Sequence, residues 1–323
     1  MNVLITGAGG FVGQHLIQQL LASAPQHTIH GTVLRSAPAA SAAHPVQYHQ
    51  VDLRHDRAVD ALVQAIQPNQ VYHLAAQANV ARSFEQPWET LENNIRTQIT
   101  LFEALRALPK PPRIVLVTSG EIYGTHAAAE GPFDESAPFQ PSNPYSVSKV
   151  TQDMLGFQYW HTYQLPVLRA RPFNHLGPGQ NLGFVAPDFA MQIARIEAGL
   201  QAPVMHVGTL TAERDFTDVR DIVRAYLLIM AHGEPGAAYN VATGTACTVR
   251  HLLDVLLGMA DVAIDVQTDP TRVRPGSAPK SWGDSSRLRI ATGWQPALSL
   301  EQTLRDVLND CRQRVQESTK ADA

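Results

Sequence analysis

Two residues four positions apart, Tyr145 and Lys149, belong to a segment of the sequence that could transfer a proton. On a helix, side chains at positions i and i+4 lie on one face, so the phenol and the ammonium would be neighbours. A tyrosine hydroxyl, with an ordinary pKa of about 10, is a weak acid–base catalyst at neutral pH, and a nearby ammonium should lower that pKa. Ser119 follows an earlier β-rich run and adds a hydroxyl that could bind the same reacting oxygen. These three residues are predicted to move a proton to or from an oxygen atom.

A cluster of glycines after the first β-rich run predicts a cofactor site. Gly7, Gly10 and Gly13 have GxxGxxG spacing, whereas the stricter GxGxxG pattern would need a glycine in place of Val12. Glycine allows a tight turn and lets the backbone approach a pyrophosphate closely. The helix that begins near Phe11 and Val12 would then direct its free N–H groups at the phosphates. The pattern predicts binding of a dinucleotide.

The end of the second strand bears on which dinucleotide binds. A carboxylate there would hold the ribose 2′-hydroxyl of NAD. The segment GTVLRS has no carboxylate, and its one charged side chain is Arg35. Because a guanidinium can bind a 2′-phosphate, this residue favours NADP(H), with NAD(H) as a possible second cofactor. The alternative is that Arg35 is an ordinary solvated loop cation. After the third strand, Asp52 and Leu53 would place a carboxylate and a backbone amide near the adenine amino group.

The elements expected around these residues define the fold class. Short β-rich runs alternate with helical patterns over the first 120 residues, which predicts right-handed βαβ units and a doubly wound parallel sheet of the Rossmann type, an α/β fold. The expected strands are 3–5, 28–34, 46–51, 71–76 and 113–118, and the expected helices are 12–21, 57–66, 88–108 and 145–163.

After about residue 172 the alternation stops and proline and glycine become more frequent. We therefore expect an NADP-binding domain over residues 1–172 and a smaller C-terminal substrate-binding lobe over 173–323, with a strand near 238–241 returning to the main sheet. In this second part the expected helices are 187–199, 219–231, 249–260 and 300–315, and the expected strands are 204–207 and 215–216.

Composition excludes several classes of function. The 323 residues include 44% apolar and 17% charged residues, which excludes intrinsic disorder, and the net charge of −4 argues against a nucleic-acid partner. The sequence has no apolar run approaching the roughly 18–20 residues of a membrane span and no HExxH or paired-histidine spacing. We expect a cytoplasmic protein that binds neither a membrane nor a metal.

The chain resembles the extended short-chain dehydrogenase/reductase family, also called the NAD-dependent epimerase/dehydratase family, over essentially its whole length. Members modify nucleotide-sugars with a bound nicotinamide cofactor. The segments that carry the resemblance are 6–13, HLAAQ at 73–77, Asn94, 119–124, Tyr145 with Lys149, and RPFNH at 171–175.

The resemblance implies roles for individual residues. In the family, a serine or threonine and a tyrosine handle the proton, while a lysine binds the nicotinamide ribose and tunes the tyrosine. Those roles correspond to Ser119, Tyr145 and Lys149. Further cofactor contacts are implied for Leu74, Ala75, Ala76 and Asn94.

A narrower resemblance concerns the substrate. RPFNHLGPGQ at 171–180, GFV at 183–185 and ERDFTDV at 213–219 are similar to the branch that acts on GDP-mannose derivatives, most of all to its 4-keto-6-deoxy reductases. The resemblance implies a GDP-sugar substrate lying along Asn174 and Val185. It also implies that Arg214 and Arg274 neutralise the diphosphate, with ordinary surface ion pairs as the alternative.

Ser119-Gly120-Glu121 bears on the reaction. A 4,6-dehydratase needs a base for the C5 proton and an acid to expel the C6 hydroxyl, and sugar dehydratases carry Thr-Asp-Glu or Thr-Ser-Glu here. Gly120 offers no donor, whereas Glu121 keeps the base. The sequence thus favours NADPH-dependent reduction of the C4 ketone of GDP-4-keto-6-deoxy-D-mannose to GDP-D-rhamnose. A GDP-mannose 4,6-dehydratase, another nucleotide-sugar epimerase or reductase, and a non-catalytic NADP-sensing protein remain alternatives.

The sequence also leads to an expectation about assembly. The helices near 90–108 and 145–163 should flank the active-site strand and expose apolar faces. In the family, the corresponding helices pair across a subunit boundary. The resemblance therefore implies a homodimer formed through a four-helix bundle.

Overall fold

A seven-stranded parallel sheet lies at the centre of the computed structural model, which describes residues 1–35, 46–124, 131–272 and 280–321. Its strands are β1 (Asn2–Thr6), β2 (Thr28–Val33), β3 (Val46–Gln50), β4 (Gln70–His73), β5 (Arg113–Val117), β6 (Val167–Pro172) and β10 (Ala238–Val241). Their spatial order is β10-β6-β5-β4-β1-β2-β3. The order reverses between β1 and β4, and in such sheets ligands bind in the crevice beyond the carboxyl ends of the strands at that point.

Helices cover both faces of this sheet, which confirms the predicted doubly wound α/β fold. The helices are α1 (Phe11–Ser23), α2 (Asp56–Ile66), α3 (Val80–Glu85), α4 (Pro87–Arg106), α5 (Pro144–Tyr163), α6 (Val185–Glu197), α7 (Val219–His232), α8 (Val249–Leu257), α9 (Ser286–Thr292) and α10 (Leu300–Ala321). Val3 and Ile5 of β1 pack towards α1 and α7, whereas Leu4 packs towards α2 and α4. This alternation buries β1 on both faces, as parallel sheets require.

Smaller sheets and a separate apolar cluster make up most of the C-terminal region. The strands are β7 (Asn174–Leu176), β8 (Val204–Val207), β9 (Glu213–Asp218), β11 (Ala246–Thr248), β12 (Asp265–Thr268) and β13 (Lys280–Ser281). Strand β9 pairs with β7, β11 and β13, and β8 pairs with β12. Buried side chains such as Phe189, Leu252 and Leu308 join α6, α8 and α10 in one cluster. In the part of the chain that the structure describes, no helix is long and apolar enough to cross a membrane.

Several elements of the structure were not predicted from the sequence. They are α3, α9, β6, β7, β11, β12 and β13, and α10 continues to Ala321, beyond the end predicted near residue 315. Strand β6 was missed because it carries Arg169 and Arg171, which are buried against a carboxylate distant in the sequence, Asp153. The apolar stripe of α10 ends at Val315, but the polar residues that follow continue the helix.

Candidate active site

The glycine loop between β1 and α1 is tightly packed against neighbouring backbone. Gly7 has a φ of +70°, which disfavours any residue with a side chain, and a Cβ there would lie 3.0 Å from the Ala75 nitrogen. A Cβ on Gly13 would lie 2.5 Å from the Gly7 carbonyl oxygen. Gly10 is the N-cap of α1 and places no side chain over the first N–H groups, which include those of Phe11 and Val12. Free N–H groups at a helix start fit the phosphates of a dinucleotide.

The loop after β4 lies next to the glycine loop at the switch point. The Ala75 N–H donates to Thr6 Oγ1 at 3.2 Å, and the same oxygen is 2.8 Å from His73 Nδ1. Burial, with the charge of Lys149, lowers the pKa of His73 to about 3, so its ring is neutral at physiological pH. Thr6 and His73 thus fix the backbone of the loop that contains Leu74, Ala75 and Ala76.

Asn94 holds this loop against α5. Its Oδ1 accepts from the Gln77 N–H at 2.7 Å, and its Nδ2 donates to the Gln77 carbonyl at 3.1 Å and to Ser148 Oγ at 2.9 Å. Asn94 is fully buried on α4. These bonds give it a structural role that the sequence motif alone did not reveal.

At the far end of the crevice, Arg35 is exposed just past β2 and Asp52 lies just past β3. The Asp52 carboxylate is bound by Arg54, with Nη2 to Oδ2 at 2.7 Å, while Leu53 is buried. The hydrogen bond from Arg54 lowers the pKa of Asp52 to about 2. Sequence reasoning missed Arg54, although the adjacent residues Asp-Leu-Arg contain the pair.

The start of α5 determines where Tyr145 and Lys149 lie. Asn143 caps the helix by accepting from the Ser146 N–H at 2.8 Å, and Ser146 Oγ accepts from the Asn143 N–H at 3.2 Å. This reciprocal cap fixes the first helical turn. Tyr145 therefore stands in the first turn with Lys149 one turn later, and both are buried.

Ser119, just after the end of β5, lies beside Tyr145. It caps the short 3-10 turn Gly120–Tyr123, because its Oγ accepts from the Glu121 N–H at 3.1 Å, and its side chain lies near enough to the Tyr145 phenol to lower the pKa of that group. The Lys149 ammonium donates to the Val117 carbonyl at 3.0 Å, and its nitrogen lies 5.9 Å from the centre of the Tyr145 ring. The structure therefore brings the three predicted residues together.

The electrostatics of the set differ from the sequence prediction. Burial raises the pKa of Tyr145 to about 12, the nearby Ser119 side chain opposes that rise, and the charge of Glu121 adds to it. Burial also lowers the pKa of Lys149 to about 7. The predicted lowering of the tyrosine pKa is wrong for the protein's own groups, because burial dominates the shift and Lys149 is not among its causes. At neutral pH Tyr145 is a protonated phenol, which can donate a proton.

The predicted substrate residues lie on the C-terminal side of this set. Arg214 lies on β9, close enough to Glu121 for the two charges to interact. Burial lowers the pKa of Arg214, and the negative charge of Glu121 opposes that change. Asn174 stands on β7, which pairs directly with β9, and Val185 is the first residue of α6. Arg274 lies outside the described residues.

Comparisons with known proteins identify the family. A family model described as GDP-mannose 4,6 dehydratase matches residues 4–307. The chain belongs to this family. The match confirms the resemblance to extended short-chain dehydrogenases/reductases.

Individual members of the family resemble this chain closely. It is 39% identical over 98% of its length to the GDP-6-deoxy-D-mannose reductase of Pseudomonas aeruginosa, covering 99% of that protein. It is 29% identical over 95% of its length to a dTDP-glucose 4,6-dehydratase of Haemophilus influenzae, covering 97%. Among solved structures, RMD from Pseudomonas aeruginosa complexed with NADPH superposes with a TM-score of 0.84 at 37% identity, over 97% of this chain and 99% of that one.

Because relatives include both reductases and dehydratases, the residues beside Ser119 matter. A Cβ on Gly120 would lie 2.9 Å from two ring atoms of Phe173, a buried residue that follows β6. A second contact links the start of α1 to β7, since the rings of Phe11 and His175 stack 6.3 Å apart. Neither contact was predicted, because both join residues more than fifty positions apart.

Proposed function

We propose that this protein catalyses the NADPH-dependent reduction of the C4 ketone of GDP-4-keto-6-deoxy-D-mannose to GDP-D-rhamnose. The observation that carries the proposal is the buried, protonated Tyr145 phenol beside the Ser119 side chain, because reduction of a ketone requires a proton donor at the carbonyl oxygen. The strong similarity to a GDP-6-deoxy-D-mannose reductase and to a structure complexed with NADPH supports the substrate and the cofactor.

In this proposal the cofactor lies across the carboxyl edge of the main sheet. The glycine loop and the start of α1 bind the pyrophosphate, and Arg35 binds the 2′-phosphate. Asp52 and Leu53 line the adenine, the loop at 74–76 with Asn94 behind it borders the crevice, and Lys149 holds the nicotinamide ribose. When bound, NADPH supplies a hydride to C4 of the sugar.

The protein's own residues control the proton. Tyr145 donates its hydroxyl proton to the C4 oxygen as that oxygen gains negative charge, and Ser119 donates a hydrogen bond to the same oxygen. The Lys149 ammonium stabilises the phenolate left on Tyr145. One hydride and one proton thus convert the ketone to an alcohol, and solvent restores the proton to Tyr145.

The substrate side of the proposal relies on charge. Arg214 is half-buried, which strengthens its attraction for a diphosphate, and Arg274 is proposed as its partner. Asn174 and Val185 border the GDP-sugar. This division assigns residues 1–172 with strand β10 mainly to the cofactor and residues 173–323 mainly to the substrate.

Dehydration is the second candidate function, favoured by Glu121, whose charge acts on both Tyr145 and Arg214. That carboxylate could remove the C5 proton once the C4 hydroxyl of GDP-mannose had been oxidised to a ketone, with NADP⁺ as the hydride acceptor. The Phe173 ring against Gly120 weighs against it, because no side chain fits at residue 120 to protonate the departing C6 hydroxyl.

The test supplies purified protein with GDP-4-keto-6-deoxy-D-mannose and NADPH, follows NADPH absorbance, and identifies the sugar by NMR. We expect stoichiometric oxidation with GDP-D-rhamnose as product, and a loss of about 10²- to 10⁴-fold in kcat for Tyr145→Phe. Conversion of GDP-mannose to the 4-keto sugar without added NADPH would instead identify a dehydratase that uses Glu121. Near-normal turnover by Tyr145→Phe would contradict the role of the phenol.

We further propose that the protein is a cytoplasmic homodimer. Trp88 and Ile99 lie on one face of α4 and Met154 and Phe157 on one face of α5, and all four are exposed apolar side chains. Two such pairs of helices would bury these faces in a four-helix bundle. The two cysteines are free thiols, which suits a reducing compartment.

A further inference from the structure

The face of α5 that carries Tyr145 and Lys149 continues one turn further to Asp153. This carboxylate has no exposed surface and binds two arginines from β6. Arg171 approaches it side-on, with Nε to Oδ2 and Nη2 to Oδ1 both at 2.8 Å. Although burial opposes both charges, the paired hydrogen bonds keep the pKa of Arg171 raised and that of Asp153 lowered.

The remaining nitrogen of Arg171 reaches a different element. Nη1 donates to the Tyr123 hydroxyl at 2.9 Å, and Tyr123 closes the 3-10 turn that Ser119 caps. The Tyr123 hydroxyl in turn donates to Asn240 Oδ1 at 2.7 Å, and burial raises its pKa to about 12, so it remains protonated. One guanidinium therefore joins α5 to the turn that begins at Ser119.

We infer that Arg171 is a positioning residue for the proposed reduction: it fixes the Ser119 turn against α5, so that the Ser119 hydroxyl faces the Tyr145 phenol. The inference rests on the proposed function for its kinetic consequence. Arg171 is only 2% exposed, so it acts through the residues it holds. A planar fork can satisfy Asp153 and Tyr123 together, whereas the point charge of a lysine cannot hold both.

Arg169 provides a matched comparison on the same strand. Its Nη1 donates to Asp153 Oδ1 at 2.5 Å, but its Nη2 donates to the Gly236 carbonyl at 2.8 Å. It is buried like Arg171 and shares the same carboxylate. Its second contact leads away from the Ser119 turn, so the two arginines separate positioning from the general contribution of a buried ion pair.

The experiment compares Arg171→Lys, Arg169→Lys and Tyr123→Phe with the wild-type protein. We expect both lysine variants to lower the melting temperature, but only Arg171→Lys to lower kcat, by about 100-fold, the cost typical of a misplacement near 1 Å. The dissociation constant of NADPH, measured by fluorescence, should stay within about twofold. Tyr123→Phe, which keeps the aromatic ring, should also lower kcat, and it should lower the melting temperature less than either lysine variant does.

Amide hydrogen exchange gives a readout that needs no substrate. The Glu121 and Ile122 amides bond to Ser119, so their exchange reports on the turn. Faster exchange at these two amides in Arg171→Lys and Tyr123→Phe, with unchanged exchange in Arg169→Lys, is the expected result. An equal kcat loss in both lysine variants, or unchanged exchange in all variants, would overturn the inference. If the wild-type protein fails to oxidise NADPH with the keto sugar, the proposed function fails, and the exchange data alone decide the positioning role.

Discussion

At the scale of single residues, burial controls the candidate active site more strongly than the neighbouring charges do. Lys149 is 4% exposed and its amine donates to the Val117 carbonyl. An ammonium so placed loses hydration that a single carbonyl replaces only in part. The folded protein therefore holds a cation that costs stability, as residues at functional sites often do.

This cost leads to a prediction about Lys149→Met. Below pH 7 the lysine is charged in both states and the folded state bears the full burial cost; between about pH 7 and 10.5 the unfolded state binds more protons, so wild-type stability rises with pH. We expect the variant to have a larger free energy of unfolding than wild type at pH 7, with an advantage that shrinks as pH rises. Urea denaturation at several pH values measures it.

Lys110→Met is the control, because Lys110 is exposed and its replacement should leave the free energy of unfolding nearly unchanged. A stability difference between Lys149→Met and wild type that is constant with pH would contradict the account of burial.

Residue identities could be predicted from the sequence more fully than residue environments. The spacing of Ser119, Tyr145 and Lys149 predicted that they would meet, and the structure brings them together. The direction of the Tyr145 pKa shift could not be predicted, because it depends on how much protein surrounds the phenol. The hydrogen bond from Arg54 to Asp52 was missed for a similar reason, since sequence spacing does not reveal which loop arginine folds back onto a nearby carboxylate.

At the scale of elements, the junction of β1 and α1 depends on close backbone packing. A Cβ on Gly13 would meet the Gly7 carbonyl at 2.5 Å and Ala8 Cα at 2.9 Å, both backbone atoms that cannot rotate away. The start of α1 would have to move from the loop, and with it the N–H groups proposed to bind the pyrophosphate.

We therefore expect Gly13→Ala to weaken NADPH binding by at least about tenfold, since misaligned N–H groups lose charge-assisted hydrogen bonds to phosphate. Fluorescence titration with NADPH measures the change. Gly258→Ala is the matched control, because a Cβ there would meet its nearest neighbours at 3.4 and 3.5 Å, which is ordinary contact. Equal NADPH affinities in the two variants would show that the junction tolerates a methyl group.

Elements with strong periodicity were predicted, and elements supported by distant partners were not. The helical stripes of α1, α4 and α7 and the β-branched runs of β1 and β5 all correspond to observed elements. Strand β6 was missed because two of its six residues are arginines, whose burial depends on Asp153 from α5. Periodicity records which residues avoid water and cannot record a charge neutralised inside the protein.

At the scale of the whole molecule, the exposed apolar faces of α4 and α5 determine the expected assembly. We expect Ile99→Glu combined with Met154→Glu to convert the proposed dimer to a monomer, because two charges on each copy would be buried in the proposed bundle. Analytical ultracentrifugation measures the mass. Ile290→Glu is the control: this side chain is 86% exposed on α9, away from the bundle, and its replacement should leave the mass unchanged. A dimer that persists in the double variant would place the interface elsewhere.

The order of strands in the main sheet has a consequence for engineering. The chain leaves the sheet after β6, builds β7, α6, β8, β9 and α7, and then returns to add β10 beside β6 before leaving again. A chimaera that took the proposed substrate-binding region from a relative could not be joined at one point after Pro172, because the donor would then also supply the edge strand. Two inserts, one on each side of Ala238–Val241, would keep the recipient's own sheet intact. To change the substrate range of such a chimaera, the segments before and after β10 would have to be exchanged together.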